Sequence, residues 1–212
     1  MPVDLHQILD GKWADGSRPK DLFAAHVGPA PKAYLGAIVA GLGSDKARVR
    51  NGCAELASLL SAAEPALLLP HVARFAANLA AKEPVLRWEA ACTLGNLAAV
   101  DRAGTTRGSV DGLADCLAHE SVVLGGHAAR ALAKMALAFP DLAPRILARL
   151  VASEPHFAGS RVGYLIEAMS AFAGDPRLAA KARAFVEPFA VSPINPVASK
   201  AKKTLRALAR GK

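Results

Sequence analysis

Trp88 and Glu89 are the first neighbours in this chain whose residue types invite chemistry. They open a helical pattern in which Cys92 and Asn96 follow on the same side. A large aromatic on a face otherwise suited to solvent makes a binding hot spot. The corresponding slots in similar stretches hold Asn51, Gly52, Glu55 and Leu59, then Gly126, His127, Arg130 and Lys134, and finally Ser199, Lys200 and Lys203. Catalysis has little to build on. The chain has no glycine-rich phosphate loop, no HExxH, no paired Cys-x-x-Cys and no recognisable Ser, His and Asp motif. Cys116 and His119 lie a turn apart with His127 eight residues further on, yet a metal needs three or four converging ligands. Neither a metal nor another cofactor is expected.

The elements that must position these side chains are helical pairs. Between Leu68 and Ala98, a first helix carries Leu69, Val72, Ala76 and Leu79 at three- and four-residue spacing. A second carries Leu86, Ala90, Leu94 and Leu97 in the same way. Neither buries its stripe alone. Comparable pairs run from Pro31 to Leu60 and from Leu113 to Met135. A fourth joins Leu142–Val151 to Arg161–Ala173, and the last ends at Arg210. Second helices anchor at Val49, Leu86, Leu124 and Val197, separated by 37, 38 and 73 residues, and Pro70 and Pro144 stand 74 apart. In the fourth pair the register is open, with Arg161 in the slot of Arg87 or Tyr164 in the anchor slot. The period predicts an all-α stack of about five helical hairpins of roughly 40 residues each. Composition agrees: 52% of residues are hydrophobic but only 5% aromatic, so Ala, Leu and Val must build the interior, which suits closely packed helices better than a sheet.

The second pair resembles the HEAT repeat. Leu69-Pro70, Leu79, Glu83-Pro84 and the run from Leu86 through Arg87, Trp88, Glu89, Ala90, Ala91, Cys92, Thr93 and Leu94 to Gly95 follow that family's pattern, and Val49-Arg50 repeats its core. The third copy has Gly125 where the arginine is expected and the fifth has Ala198. The resemblance implies a right-handed alpha-alpha superhelix, with Asp45, Arg50, Glu83 and Arg87 as a structural ladder of acid and arginine. It also implies that second helices line a concave groove. That groove would run from Trp88, Glu89 and Asn96 at one end to His127, Arg130, Lys134, Lys200 and Lys203 at the other. Families of this architecture range from adaptors to DNA-repair glycosylases and bilin lyases, so the fold leaves activity open. Base chemistry wants aromatics and a carboxylate in a basic groove, whereas Trp88 and Glu89 diverge by about 100° on a helix. The expectation is a non-enzymatic scaffold binding a protein or peptide.

Charge points to the alternative. The net charge is +8, yet Pro196 to Lys212 contributes +6 of it through Lys200, Lys202, Lys203, Arg206, Arg210 and Lys212, leaving +2 for the other 195 residues. Val197, Ala201, Leu205 and Leu208 share one side of this terminal helix and the cations the other, a stripe suited either to an end cap or to nucleic acid. Residues 1–30 do not match the repeat and are expected to cap residues 31–212 within one structural domain, Trp13 serving as a packing anchor. The opening residues lack a basic start and a long apolar run, and no stretch of about 18 residues is free of charge or His. A cytoplasmic protein without a membrane span is expected, its Cys53, Cys92 and Cys116 as free thiols. Oligomeric state is not readable.

Overall fold

Proline and short polar side chains set where the helices begin. The computed structural model describes residues 3–210. The α-helices are, in order, α1 (Leu5–Asp10), α2 (Pro19–Leu22), α3 (Pro31–Gly41), α4 (Ala47–Ala63), α5 (Val72–Asn78), α6 (Pro84–Ala98), α7 (Val110–Cys116), α8 (Val122–Ala138), α9 (Ala143–Ala152), α10 (Gly163–Ala168), α11 (Pro176–Val186) and α12 (Asn195–Arg210). Short 3₁₀ and π turns fill the joints, and no strand occurs among the described residues. Proline takes the first or second position of α2, α3, α6, α9 and α11, where its missing N–H is harmless and its fixed φ favours the first turn. Asp4, Ser121 and Asp175 cap α1, α8 and α11 by accepting from first-turn backbone N–H groups. No helix among the described residues is long and apolar enough to cross a membrane.

The chain divides after Thr105 into two compact units. In the first, α3 pairs with α4 and α5 with α6, and the second helices α4 and α6 pack on each other. Val49, Cys53, Leu56 and Leu60 of α4, and Leu86, Ala90, Leu94 and Leu97 of α6, are all buried. The N-terminal segment lies on this pair. The His6 ring donates to the Ala37 carbonyl at 2.7 Å, the Tyr34 hydroxyl accepts from the Val3 N–H at 3.1 Å, and Arg48 donates to the Gly11 carbonyl at 3.0 Å. Leu9 closes directly over Gly52, where a Cβ would stand 2.5 Å from its Cδ2, so any larger residue there would displace the Leu9 side chain that seats α1 on α4. Trp13 remains 36% exposed and donates its indole N–H to the Leu9 carbonyl at 2.9 Å, closing the end of α1.

In α5 the buried stripe is Leu68, Val72, Phe75 and Leu79, while Leu69 and Ala76 are only half-buried. The sequence stripe of Leu69, Val72, Ala76 and Leu79 was therefore one residue out of phase at two positions. Both spacings fit a helix, and packing decides between them: Leu69–His71 around Pro70 is a 3₁₀ turn and the α-helix begins only at Val72, with Phe75 rather than Ala76 filling the interior.

In the second unit α7 packs on α8 and α11 on α12, while α9 packs on α8, on α11 and on the Met169–Phe172 turn that follows α10. Leu124, Ala128, Leu132 and Met135 form a fully buried stripe on α8. In the fourth pair the second helix is broken into a 3₁₀ turn at Gly159–Val162, the six-residue α10 and another 3₁₀ turn at Met169–Phe172. Val162, Leu165, Met169 and Phe172 are buried there and Tyr164 is not, so Tyr164 does not take the anchor slot. On α12 the buried positions are Val197, Ala201, Thr204 and Leu208. Leu205 is half-buried, and Thr204 replaces it because the 4-3-4 spacing fits the helical period better than 4-4-3 against this neighbour.

Polar ties repeat at the same interval as the helices. Arg50 pairs with Glu83 33 residues on, Arg107 with Asp141 and Arg145 with Asp111 at 34, and Arg130 with Glu167 at 37. Each links one hairpin to the next within its unit.

Candidate partner-binding faces

In the first unit the packing of α4 on α6 sets two rows of side chains side by side. Asn51, Glu55 and Ser58 follow each other at one-turn spacing on α4, and Trp88, Cys92 and Asn96 do so on α6 with Glu89 beside Trp88. All seven are half-buried rather than solvated. Trp88 Nε1 donates to Glu89 Oε1 at 2.9 Å, so these neighbours meet through their side chains despite diverging along the helix. Burial pushes the Glu89 carboxyl above the usual carboxylate range, hydrogen bonds from Ser58 and Trp88 work against that shift, and the charge of Glu55 adds to it. Burial also raises Glu55, opposed by the charge of Lys20. Asn96 Nδ2 donates to Ser61 Oγ at 2.8 Å, which in turn donates to the Ser58 carbonyl at 2.7 Å. Asn51 Oδ1 is buried without a hydrogen-bond donor among the described residues. The face is thus rich in acceptors, two of them carboxyl groups held in a partly dry setting.

The four ladder residues separate. Arg50 joins Glu83 and also donates to the Ser44 carbonyl at 2.7 Å. Its guanidinium holds Glu83 below the ordinary carboxylate range, chiefly through their hydrogen bond. Arg87 donates to the Leu79 carbonyl at 2.8 Å, pinning the α5–α6 turn. Asp45 is exposed and takes no part in the Arg50 rung, because Glu83 of the next hairpin occupies that guanidinium.

The second unit gathers Arg130 and Lys200 around two residues that the sequence pattern did not place in the groove. Tyr164 and Glu167 of α10 sit between α8 and α12. Arg130 Cζ lies 5.2 Å from the Tyr164 ring centroid and Lys200 Nζ 5.5 Å from it. The same cations reach Glu167, Arg130 at 3.4 Å and Lys200 at 2.7 Å. Burial works to raise the Glu167 carboxyl, but the hydrogen bonds and charges of Lys200 and Arg130 outweigh it and hold it low. Gly126 makes room for the ring, since a Cβ there would be 2.9 Å from Tyr164 Cδ1. His127 is half-buried, and burial, aided by the Arg130 charge, lowers its pKa. Lys134 and Lys203 are exposed on α8 and α12. Two of the cluster's cations are thus already engaged by one carboxylate and one ring, and the cluster keeps a net positive charge. On α12, Lys202, Lys203, Arg206 and Arg210 are exposed, while Lys212 lies outside the described residues.

The sequence signal that would have found Tyr164 was Gly126, whose missing side chain leaves a gap for a large neighbour, whereas Gly125 makes room for Phe157 and nothing pointed to Glu167. The broken α10 hid which residue fills the gap at Gly126.

No known protein family's sequence profile matches this chain, and no curated protein matches it in sequence. Solved structures do match it in fold. An engineered protein superposes with a TM-score of 0.69 at 19% identity, covering 98% of this chain and 88% of its own. A designed armadillo repeat protein gives 0.64 at 18% over 96% and 90%. Another, solved in complex with the peptide (KR)4, gives 0.69 at 16% over 96% and 90%. At these identities the shared property is the fold, and the chain has the armadillo-like helical repeat fold that its HEAT-like pattern implied.

Proposed function

We propose that this protein is a non-enzymatic repeat scaffold that binds a protein or peptide partner, with the α4/α6 face of the first unit receiving a basic side chain. One observation carries the reading. Glu55, Glu89 and Asn51 crowd acceptors onto a half-buried face whose nearest hydrogen-bond donors, Trp88 and Ser58, are neutral. Lys20 acts on Glu55 through its charge alone, so a partner's guanidinium or ammonium brings the charged donor that Glu89 lacks, and the indole of Trp88 offers it an aromatic wall. A designed protein of the same fold holds a peptide of alternating Lys and Arg, which supports the choice of partner chemistry.

The test uses anisotropy of fluorescently labelled (KR)4, with a Glu-based peptide of equal length as control. The net charge of +8 repels a basic peptide as a whole, so binding must come from a local site. A charged hydrogen bond is worth about 1.5 to 3 kcal/mol, so Glu89→Gln is expected to weaken (KR)4 roughly ten- to a hundredfold. Equal affinity for wild type and the Glu55→Gln/Glu89→Gln double variant would remove this reading. A second reading rests on the four exposed cations of α12, which suit a polyanion such as nucleic acid.

A further inference from the structure

Two apolar faces run along α9, and the stack uses only one. Ala143, Ile146, Leu147 and Leu150 are buried in the second unit. Pro144, Ala148, Val151 and Ala152 are exposed and, with Leu147, mark positions i, i+3, i+4, i+7 and i+8 of one stripe. That stripe faces Lys181, Ala184 and Phe185 of α11 across an open recess of about 550 Å³. Phe185 is half-buried and packs on Phe189 with ring centroids 5.5 Å apart. The only polar residues of α9 are Arg145 and Arg149.

Charge names the occupant. Together α9 and α11 carry Arg145, Arg149, Arg177, Lys181 and Arg183 and no carboxylate. Arg145 and Arg149 share one acid, Asp111 of α7. Glu154 and Glu187 come only past the C-terminal ends of the two helices, and Asp175 is engaged as the α11 cap. From Thr106 onward the chain has 15 Lys and Arg against 8 Asp and Glu. A second copy of this chain would bring the same cations to the same place and be repelled. A lipid surface calls for apolar side chains that protrude, whereas these are short residues lining a hollow between two helices.

We propose that the α9/α11 recess docks an acidic amphipathic helix of a partner protein. Its apolar stripe at i, i+3, i+4 and i+7 fills the hollow, and its Asp and Glu flanks meet Lys181 and the neighbouring arginines. This site is separate from the α4/α6 face and does not depend on it.

The probe is a labelled synthetic helical peptide of about 15 residues, with Leu and Phe on one stripe and Glu on the flanks, beside a scrambled peptide of identical composition. Ala148→Glu and Lys181→Glu alter exposed positions and leave the core untouched, which far-ultraviolet circular dichroism checks. The intact probe is expected to bind wild type, to lose at least about tenfold in each variant, and to weaken as salt rises. Trp88→Ala, which disables the other face, is expected to leave this binding unchanged. Equal binding of the scrambled peptide, or indifference to Ala148→Glu, would overturn the proposal. So would failure of the helix to bind while anionic vesicles retain wild type but not Ala148→Glu.

Discussion

Leu68 and Leu69 are adjacent, chemically identical and assigned opposite roles by the structure, so a pair of alanine substitutions reads the packing of α5 directly. Leu68 is fully buried. Truncating it removes methyl groups from a closed site, and buried Leu→Ala changes cost about 2 to 5 kcal/mol through lost transfer energy and the cavity left behind. Leu69 is half-buried at the 3₁₀ turn around Pro70. Full burial of a Leu side chain is worth about 1.5 to 3 kcal/mol. Half of that, with no closed cavity, gives about 1 kcal/mol. Leu68→Ala is therefore expected to be at least twice as damaging as Leu69→Ala. Urea unfolding followed by far-ultraviolet circular dichroism measures both, provided the slope against urea stays constant between variants.

The pair of variants bears on the α4/α6 face, because α5 is the helix that backs α6. If Leu69→Ala proves as costly as Leu68→Ala, the first helix buries the stripe of Leu69, Val72, Ala76 and Leu79 after all. The placement of Leu68 and Phe75 in the interior would then be wrong, and with it the packing of α5 behind α6.

Glu89→Gln is expected to raise resistance to urea at neutral pH and to converge with wild type well below 4.5, the unperturbed value. The sign comes from the raised carboxyl: the folded state binds more protons through the window above that value, so stability falls as pH rises across it, and an amide abolishes the loss. Wild type and variant with parallel pH profiles would contradict this. Burial pushes the Cys53 thiol up to about 12, so in a Cys92→Ser/Cys116→Ser background a thiol reagent should label Cys53 only after unfolding. Rapid labelling of the folded protein would show α3 and α4 opening. If nucleic acid binds through α12, the four exposed cations Lys202, Lys203, Arg206 and Arg210 give a log affinity against log salt slope of about −3.6, at about 0.9 per phosphate contact. Binding that ignores salt would dismiss α12 as the contact. Lys203→Ala should alter stability by less than about 0.5 kcal/mol, as befits an exposed side chain, and a larger loss in urea unfolding would put it in the core.

Second helices were the legible part of the sequence. The stripes of α4, α6 and α8 hold because each is at least 15 residues of regular helix, long enough for the 3.6-residue period to declare itself. Phase failed where the helix was short or began in a 3₁₀ turn, at α5 and α10, and Gly159 with its φ of 62° marks the second break; on the longer α12 it missed at one position, where Thr204 rather than Leu205 is buried. Side-chain pairing was less legible still. Glu55 and Glu89 lie 34 residues apart and influence one another only because α4 and α6 pack together. Nothing in either local pattern records that. The Arg130, Tyr164, Glu167 and Lys200 cluster draws on three helices, one of them too irregular to register.

The two units have opposite electrostatic problems on a common framework. Up to Thr105 the chain carries 11 Lys and Arg against 10 Asp and Glu, so its chemistry comes from placement: Glu55 and Glu89 are carboxyl groups moved partly out of water. From Thr106 the surplus of cations is large, and where carboxylates stand near, as Glu167 does beside Arg130 and Lys200, the cations are spent internally. They remain in excess where α9 and α11 have none. Sites on this fold therefore depend on which cations and acids the stacking leaves uncompensated. By that criterion the α4/α6 face is short of positive charge around Glu89, because Arg48, Arg50 and Arg87 are engaged elsewhere, and the second unit is short of negative charge on α9 and α11. A partner carrying a basic segment and an acidic amphipathic helix would satisfy both deficits, and the Glu89→Gln and Ala148→Glu variants would each remove one attachment while leaving the other intact.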